Sequence, residues 1–449
     1  MRVVAALALA LVLGACRRED PRAAGATVAA AEAPRTARVE DAGAPACPAV
    51  DRAKIAPFEI DRAAIKADAP DIVDPKATLA SFHDRMLGLA RGTGKRHVRI
   101  AVFGDSNLTS DYLTGHVRRA LQARFGDGGH GFVALARPWP WYTHEDVHHH
   151  GTWPLFKQIA ATTDPVPGHH YGLAHMAAES SKAGAAAWVA TADPDAAVGR
   201  TASRFEIHFL KQPKGGSFEV VLDGKPVQTI ATASERFEAG VQPVEAPDAS
   251  HELRCVVKGD GVVRLFGATL ERDAPSVVVD SLGTGAMNFQ RFMMTEPTVR
   301  RAQLVRRDYD LVVVWLGMNS MWLHPNRAWV HDTITTIRDA LPSTPVLMLT
   351  PPDSVREGEE KSDPRIVGLV KQIREVADET GVAFWDFRAA MGGDAAFLAF
   401  MRRGLASPDR AHLSKQGGAM MGQRLLAALF RDLGARLEAD PAAGCPRQP

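Results

Sequence analysis

Ser106 stands in Phe103-Gly104-Asp105-Ser106, directly after the apolar run Val98–Phe103. A serine hydroxyl is a weak nucleophile and needs a base beside it. The C-terminal part supplies one in Ser407-Pro408-Asp409-Arg410-Ala411-His412-Leu413. An Asp and a His three apart in a Pro-started loop can meet within one turn. The Asp409 carboxylate then accepts from imidazole Nδ1–H, and Nε2 of His412 faces outward as the base. Two further segments hold groups suited to a developing oxyanion. In Gly317-Met318-Asn319-Ser320 the Asn319 amide can donate, and in Asp280-Ser281-Leu282-Gly283-Thr284-Gly285 a glycine leaves a backbone N–H open to substrate. Each such donor is typically worth about 3 kcal/mol of barrier. Gly283 competes with Gly285 for that role. Asp-x-x-His alone is a common surface turn; joined to Ser106, Asn319 and a glycine of that segment it points to acyl transfer through a serine. Asp105 is expected to hold nearby backbone, leaving Asp409 as the acid of the triad.

These groups need elements that bring them together. Five short apolar runs stand out: Val98–Phe103, Val277–Val279, Leu311–Leu316, Val346–Leu349 and Val382–Phe387. Each is followed by helical spacing, at about 111–125, 296–307, 326–340, 363–379 and 415–436. Near-continuous apolar strands alternating with helices predict a parallel sheet covered on both faces. Ser106, Gly285 and Asn319 then fall at carboxyl ends of strands, where open α/β sheets bind ligands. Gly104 is expected to allow a tight turn, and the helix after it to aim its N-terminal N–H groups at the reacting centre. A strand–helix–strand unit needs about 30 residues, yet roughly 170 separate Phe103 from Val277. That stretch alternates in Arg204–Leu210 and Gly216–Leu222, and Asp223-Gly224 is a hairpin signal. It reads as an inserted β-sandwich. The expected division is 1–15 signal peptide, 16–76 lipid-attached tether, 77–136 and 274–437 the two parts of the α/β domain, 137–273 the insert, and 438–449 a tail.

In the order Ser106, Gly285, Asn319, then Asp409 with His412, the motifs resemble the SGNH (GDSL-like) hydrolase family. The resemblance implies a flavodoxin-like three-layer α/β/α fold with a five-stranded parallel sheet. It implies Ser106 as nucleophile, His412 as base and Asp409 as its partner. The Ser106 amide, Gly285 and Asn319 would form the oxyanion hole, with no cofactor and no metal. Two positions depart from the pattern: Asn107 stands where the family motif has Leu, and Ser320 where many members have Asp. Neither is a triad member, so the departures bear on substrate preference. A narrower resemblance runs through Phe103–Ser106, Thr114-Gly115 and Leu121–Phe132. It is to bacterial cell-wall O-acetylesterases, which remove O-acetyl groups from peptidoglycan and carry a carbohydrate-binding-like β-sandwich at this point. A jelly-roll-like insert and an O-acylated glycan substrate follow as expectations.

The rest of the chain bounds these expectations. With 53 Lys+Arg against 52 Asp+Glu, the charge balance offers nothing to nucleic acid. Met1-Arg2, the apolar run Val3–Leu13 and Leu13-Gly14-Ala15-Cys16 read as a secretory signal too short to span a bilayer. Its end resembles a bacterial lipobox, which implies lipidation at Cys16 and a location on the envelope, with Arg17 favouring the outer membrane. An oxidising compartment allows one disulfide among Cys47, Cys255 and Cys445. Cys47–Cys445 is preferred because the two bracket the folded region; Cys47–Cys255 and no bridge stay open. The spacing does not suit zinc. His144, His148, His149 and His150, and likewise His169, His170 and His175, are expected to be polar insert loops, with sugar contact as the alternative. Trp139, Trp141 and Tyr142 divide between packing and sugar stacking. Trp322 is considered as a wall of the acyl site.

The expected activity is removal of O-acetyl groups from cell-envelope glycan through an acyl-enzyme. The rivals are a glycan O-acyltransferase, a lipase or general carboxylesterase on the same site, and a non-catalytic glycan-binding lipoprotein.

Overall fold

The protein was analysed as a computed structural model, which describes residues 47–446 apart from 152–154, 164 and 324–325. The expected signal peptide and the expected lipidation site Cys16 lie outside the described residues.

The parallel sheet runs Val277–Gly283, Val98–Gly104, Leu311–Trp315, Val346–Leu349, Ala383–Trp385. In chain order that is 2-1-3-4-5, the flavodoxin-like arrangement. The strands are largely apolar because both faces are covered. Ile100 and Val102 join Phe82, Met86, Val117, Leu121, Leu425 and Leu429 in one core. Ala101 and Phe103 join Val312, Val314, Ile334, Ile337, Leu369 and Ile373 in the other. Helices Ala80–Ala90, Tyr112–Phe125 and Lys415–Ala439 therefore cover one face, and Asn326–Ala340 with Pro364–Thr380 cover the opposite one. The expected fifth strand is shorter than its apolar run. Asp386 caps a new helix, Phe387–Met391, accepting from Ala389 N–H at 2.8 Å.

The insert is two antiparallel sheets. One has six strands, centred on Val263–Glu271 and Ala202–Lys211; the other has five, centred on Glu252–Val257. Phe209 of the first meets Phe218 of the second edge-on at 5.3 Å, inside a shared apolar core. The Asp223-Gly224 turn joins Ser217–Leu222 to Lys225–Ala231 with φ of 52° and 75°, as a two-residue hairpin of right-twisted strands requires.

Three expected boundaries are corrected. The insert begins before 137: Gly129–Ala134 already pairs antiparallel with Val263–Glu271 in the six-stranded sheet. Its glycines hide the strand pattern. Residues 47–76 are not a tether. Ile55, Ile65 and Ala69 are buried, Val73 pairs with Phe384, and the Trp385 indole donates to Pro70 O at 3.0 Å. This segment packs through isolated apolar residues and backbone bonds, so no periodicity marks it. The C-terminal end is also held: Cys445 is bonded to Cys47, and Arg91 donates to Ala443 O at 2.9 Å. Cys255 is the free cysteine among the described residues; burial pushes its thiol up to about 12, which leaves it inert.

A buried ionic knot joins insert to core. Arg307 donates to Asp280 at 2.9 and 3.0 Å and to Glu271 at 2.8 Å. Tyr309 Oη donates to Asp280 at 2.7 Å, and Phe132 N–H to the same carboxylate at 2.8 Å. Despite the cost of burial, Arg307 and Arg99 hold the Glu271 carboxyl well below its ordinary range.

Candidate active site

Register aligns the loops of the site. Gly104 pairs with Gly283 on one side and Trp315 on the other. Ser106, Gly285 and Asn319 therefore leave three adjacent strands at the same edge. The strand ends also touch: Thr284 N–H donates to Gly104 O at 3.1 Å. Gly104 does not have positive φ; what it supplies is room, since a Cβ there would sit 2.3 Å from Leu108 Cδ1. Nor does a helix start directly after Ser106. Turns fill 105–110, and the helix begins at Tyr112 behind Asp111, whose φ is 58°. The Ser106 carbonyl is held within these turns by Thr109, whose hydroxyl donates to it at 2.7 Å.

The 406–413 loop is closed on itself. Ala406 bridges Leu413, and Ser407 N–H donates to His412 O at 2.8 Å. Arg410 turns the chain with φ of 62°. Asp409 Oδ1 accepts from Ala411 N–H at 2.9 Å and His412 N–H at 3.0 Å. Its other oxygen lies 2.7 Å from His412 Nδ1. Partial burial raises the Asp409 carboxyl, but the imidazole and these two N–H groups outweigh it and keep it below the ordinary carboxylate range. His412 Nε2 lies 2.7 Å from Ser106 Oγ. Serine, imidazole and carboxylate thus form one hydrogen-bonded chain across the two ends of the fold.

Asn107 was not anticipated in any structural role. Its carboxamide accepts from Leu413 N–H at 3.0 Å and donates to Ala411 O at 3.1 Å, clasping the backbone on both sides of His412. The visible signal was its departure from Leu in the motif, and the partners lie 304 and 306 residues away. Asp105 sits beneath. Burial raises its carboxyl, against hydrogen bonds from Asn107 and the Met318 N–H. It accepts from Asn107 N–H at 3.0 Å and so holds the turn around Ser106.

Ser106 and His412 open on a cleft of about 310 Å³, lined also by Asn107, Ser110, Tyr112, Trp141, Asp409 and Leu413. Gly285, Asn319 and Trp322 do not line it. Asn319 donates one amide hydrogen to Met287 O at 3.1 Å, leaving the second for another acceptor. Gly285 lies against Trp139, where a Cβ would be 2.8 Å from the indole. Trp322 is exposed with the Arg365 guanidinium 3.3 Å over its ring.

The histidine-rich stretch spreads out. His144 is buried against His130, His148 is 3.1 Å from Asp193, and the backbone of 148–151 forms an edge strand of the insert. His170 stacks on Phe237, and His175 meets Thr295 at 2.7 Å. Among the described residues no cluster of His, Cys, Asp and Glu is arranged to hold a metal. No helix among them is long and apolar enough to cross a membrane.

The model of the GDSL-like lipase/acylhydrolase family matches residues 253–420, which include Gly285, Asn319, Asp409 and His412 but not Ser106. A search of curated proteins gave no match. Among solved structures, a peptidoglycan O-acetylesterase superposes with a TM-score of 0.68 at 20% identity, covering 81% of this chain and 99% of that one. At that identity the likeness is one of fold, and it takes in the insert. A family two carbohydrate esterase from Clostridium thermocellum in complex with cellohexaose covers 64% of this chain and 99% of its own at 12% identity, with a TM-score of only 0.28, too low to add weight.

Proposed function

We propose that the chain is an SGNH-type carboxylic ester hydrolase that removes O-acetyl groups from a cell-envelope glycan such as peptidoglycan, by way of an acyl-enzyme on Ser106. The observation that supports this most is the continuous Ser106–His412–Asp409 chain, with both contacts at 2.7 Å. In the proposed mechanism Ser106 Oγ attacks the acetyl carbonyl while His412 Nε2 takes the hydroxyl proton. Asp409 fixes the imidazole tautomer and faces the imidazolium that forms. The Ser106 amide, the Gly285 N–H and the second Asn319 amide hydrogen receive the oxyanion. His412 then protonates the departing sugar oxygen, and water, deprotonated by the same base, releases acetate.

The glycan assignment draws on the inserted β-sandwich, on the fold shared with a peptidoglycan O-acetylesterase, and on a cleft near the small end of the usual ligand-site range. Its size suits an acetyl ester on one sugar ring better than a long acyl chain. The leader sequence and Cys16 support export and a lipid anchor on the envelope, facing the periplasm from the outer membrane. The test is acetate release from O-acetylated peptidoglycan against acetylated xylan and long-chain esters. Preferential release from peptidoglycan is expected; preference for long-chain esters would overturn the assignment.

A further inference from the structure

Trp141 is 57% exposed, although its aromatic neighbours Trp139 and Tyr142 are buried. The turn carrying it is fastened at both ends. Tyr142 N–H donates to Trp139 O at 3.1 Å, and Arg137 donates to Tyr142 O at 3.1 and 3.2 Å. Thr143 N–H donates to Thr109 O at 2.9 Å and its hydroxyl to Ser110 O at 3.2 Å, so the turn is tied to the segment that follows the nucleophile. Two buried anchors thus hold one large apolar side chain at the rim of the cleft that contains Ser106 and His412. Folding gains nothing from leaving an indole in water there. A pre-positioned aromatic face costs little ordering on binding. The residue lies between the insert's first strand, Gly129–Ala134, and its next, His148–Gly151, so the insert reaches the ester site itself.

We propose that Trp141 is a sugar-stacking platform: its indole receives the apolar face of the pyranose ring whose ester Ser106 attacks. This rests on the substrate being an acylated glycan. The ring would lie on the indole by its C–H face, with its ester turned toward Ser106, and Ser110 and Tyr112 within the same cleft. Any pyranose has such a face, so the platform selects sugar esters over simple esters without selecting one sugar.

The experiment compares the full chain with Trp141→Ala and Trp141→Phe on three substrates: solubilised O-acetylated peptidoglycan, acetylated xylan, and ethyl acetate, which has no ring to stack. Trp141→Ala is expected to lower kcat/KM about tenfold on whichever polysaccharide the wild type takes, chiefly through KM. The loss on ethyl acetate is expected to be at least threefold smaller than the loss on the polysaccharide, and Trp141→Phe to recover most of the polysaccharide loss. Equal losses on ethyl acetate and polysaccharide, or no loss on either, would overturn the platform while leaving the glycan assignment intact. A wild type that takes xylan in place of peptidoglycan would overturn the peptidoglycan assignment and keep the platform. A wild type active on ethyl acetate alone would overturn both.

Discussion

The Asn107 carboxamide brackets His412, accepting from Leu413 N–H at 3.0 Å and donating to Ala411 O at 3.1 Å. Through it the residue after Ser106 grips the loop of His412, and the 2.7 Å contact between Ser106 and His412 is held from the backbone. Asn107→Leu, which restores the side chain of the family motif, removes both bonds. A misplacement of about 1 Å at such a site costs on the order of a hundredfold. Asn107→Leu is therefore expected to lower kcat at least tenfold on a small acetyl ester with KM within about twofold. Unchanged kcat would show that the clasp does not position His412.

Asp409→Asn keeps the shape of the loop but puts an amide against imidazole Nδ1. The neutral amide neither fixes the tautomer nor faces the imidazolium. A loss of at least a hundredfold in kcat is expected, measured as acetate release at neutral pH, with the unfolding midpoint little changed because the pair is exposed.

Arg307 is buried between the Asp280 and Glu271 carboxylates, themselves buried. Arg307→Met leaves the Asp280 carboxylate without its cation and Glu271 with Arg99 alone. Breaking such a buried pair typically costs about 3–5 kcal/mol. Urea unfolding is expected to show a loss of that size, and a change under 1 kcal/mol would contradict the role of the knot in seating the insert.

Burial holds His83 down at about 4 and His144, His175 and His208 down at about 3. An unfolded histidine titrates near 6.5. Above that value neither state is protonated at these groups. As pH falls below it, the unfolded chain takes up protons that the folded chain refuses, and each group removes about 1.4 kcal/mol per pH unit. Asp432, pushed up to about 6 mainly by burial, acts in the opposite direction together with Asp105 and Asp310, while burial also lowers His97, His116, His130 and His170 alongside the four. The thermal midpoint is expected to be at least ~5 °C lower at pH 5 than at pH 7.5; an equal or higher midpoint at pH 5 would contradict it.

Much of this was legible because chemistry and periodicity coincided. The strand Val98–Gly104 announces itself by composition, and Ser106 by standing at its end. Asp409 and His412 share one tight loop, so their contact needs no tertiary information. The distant relations were hidden. Nothing near Asn107 names Ala411 or Leu413, and only the 2-1-3-4-5 strand order brings them together. Residues 47–76 look like linker because each buried side chain is isolated, and Gly129–Ala134 goes unmarked as a strand of the insert because its glycines interrupt the pattern. Asn319 stands at the expected strand end, but its bond to Met287 O is a tertiary fact.

The most direct test of the central claim is acetate release by Ser106→Ala beside the wild type, on the same O-acetylated peptidoglycan and on a small acetyl ester. The expected result is loss of both activities by at least a thousandfold, with circular dichroism and the unfolding midpoint unchanged. Acetate release retained by a folded Ser106→Ala protein would contradict the assignment of this serine as the nucleophile.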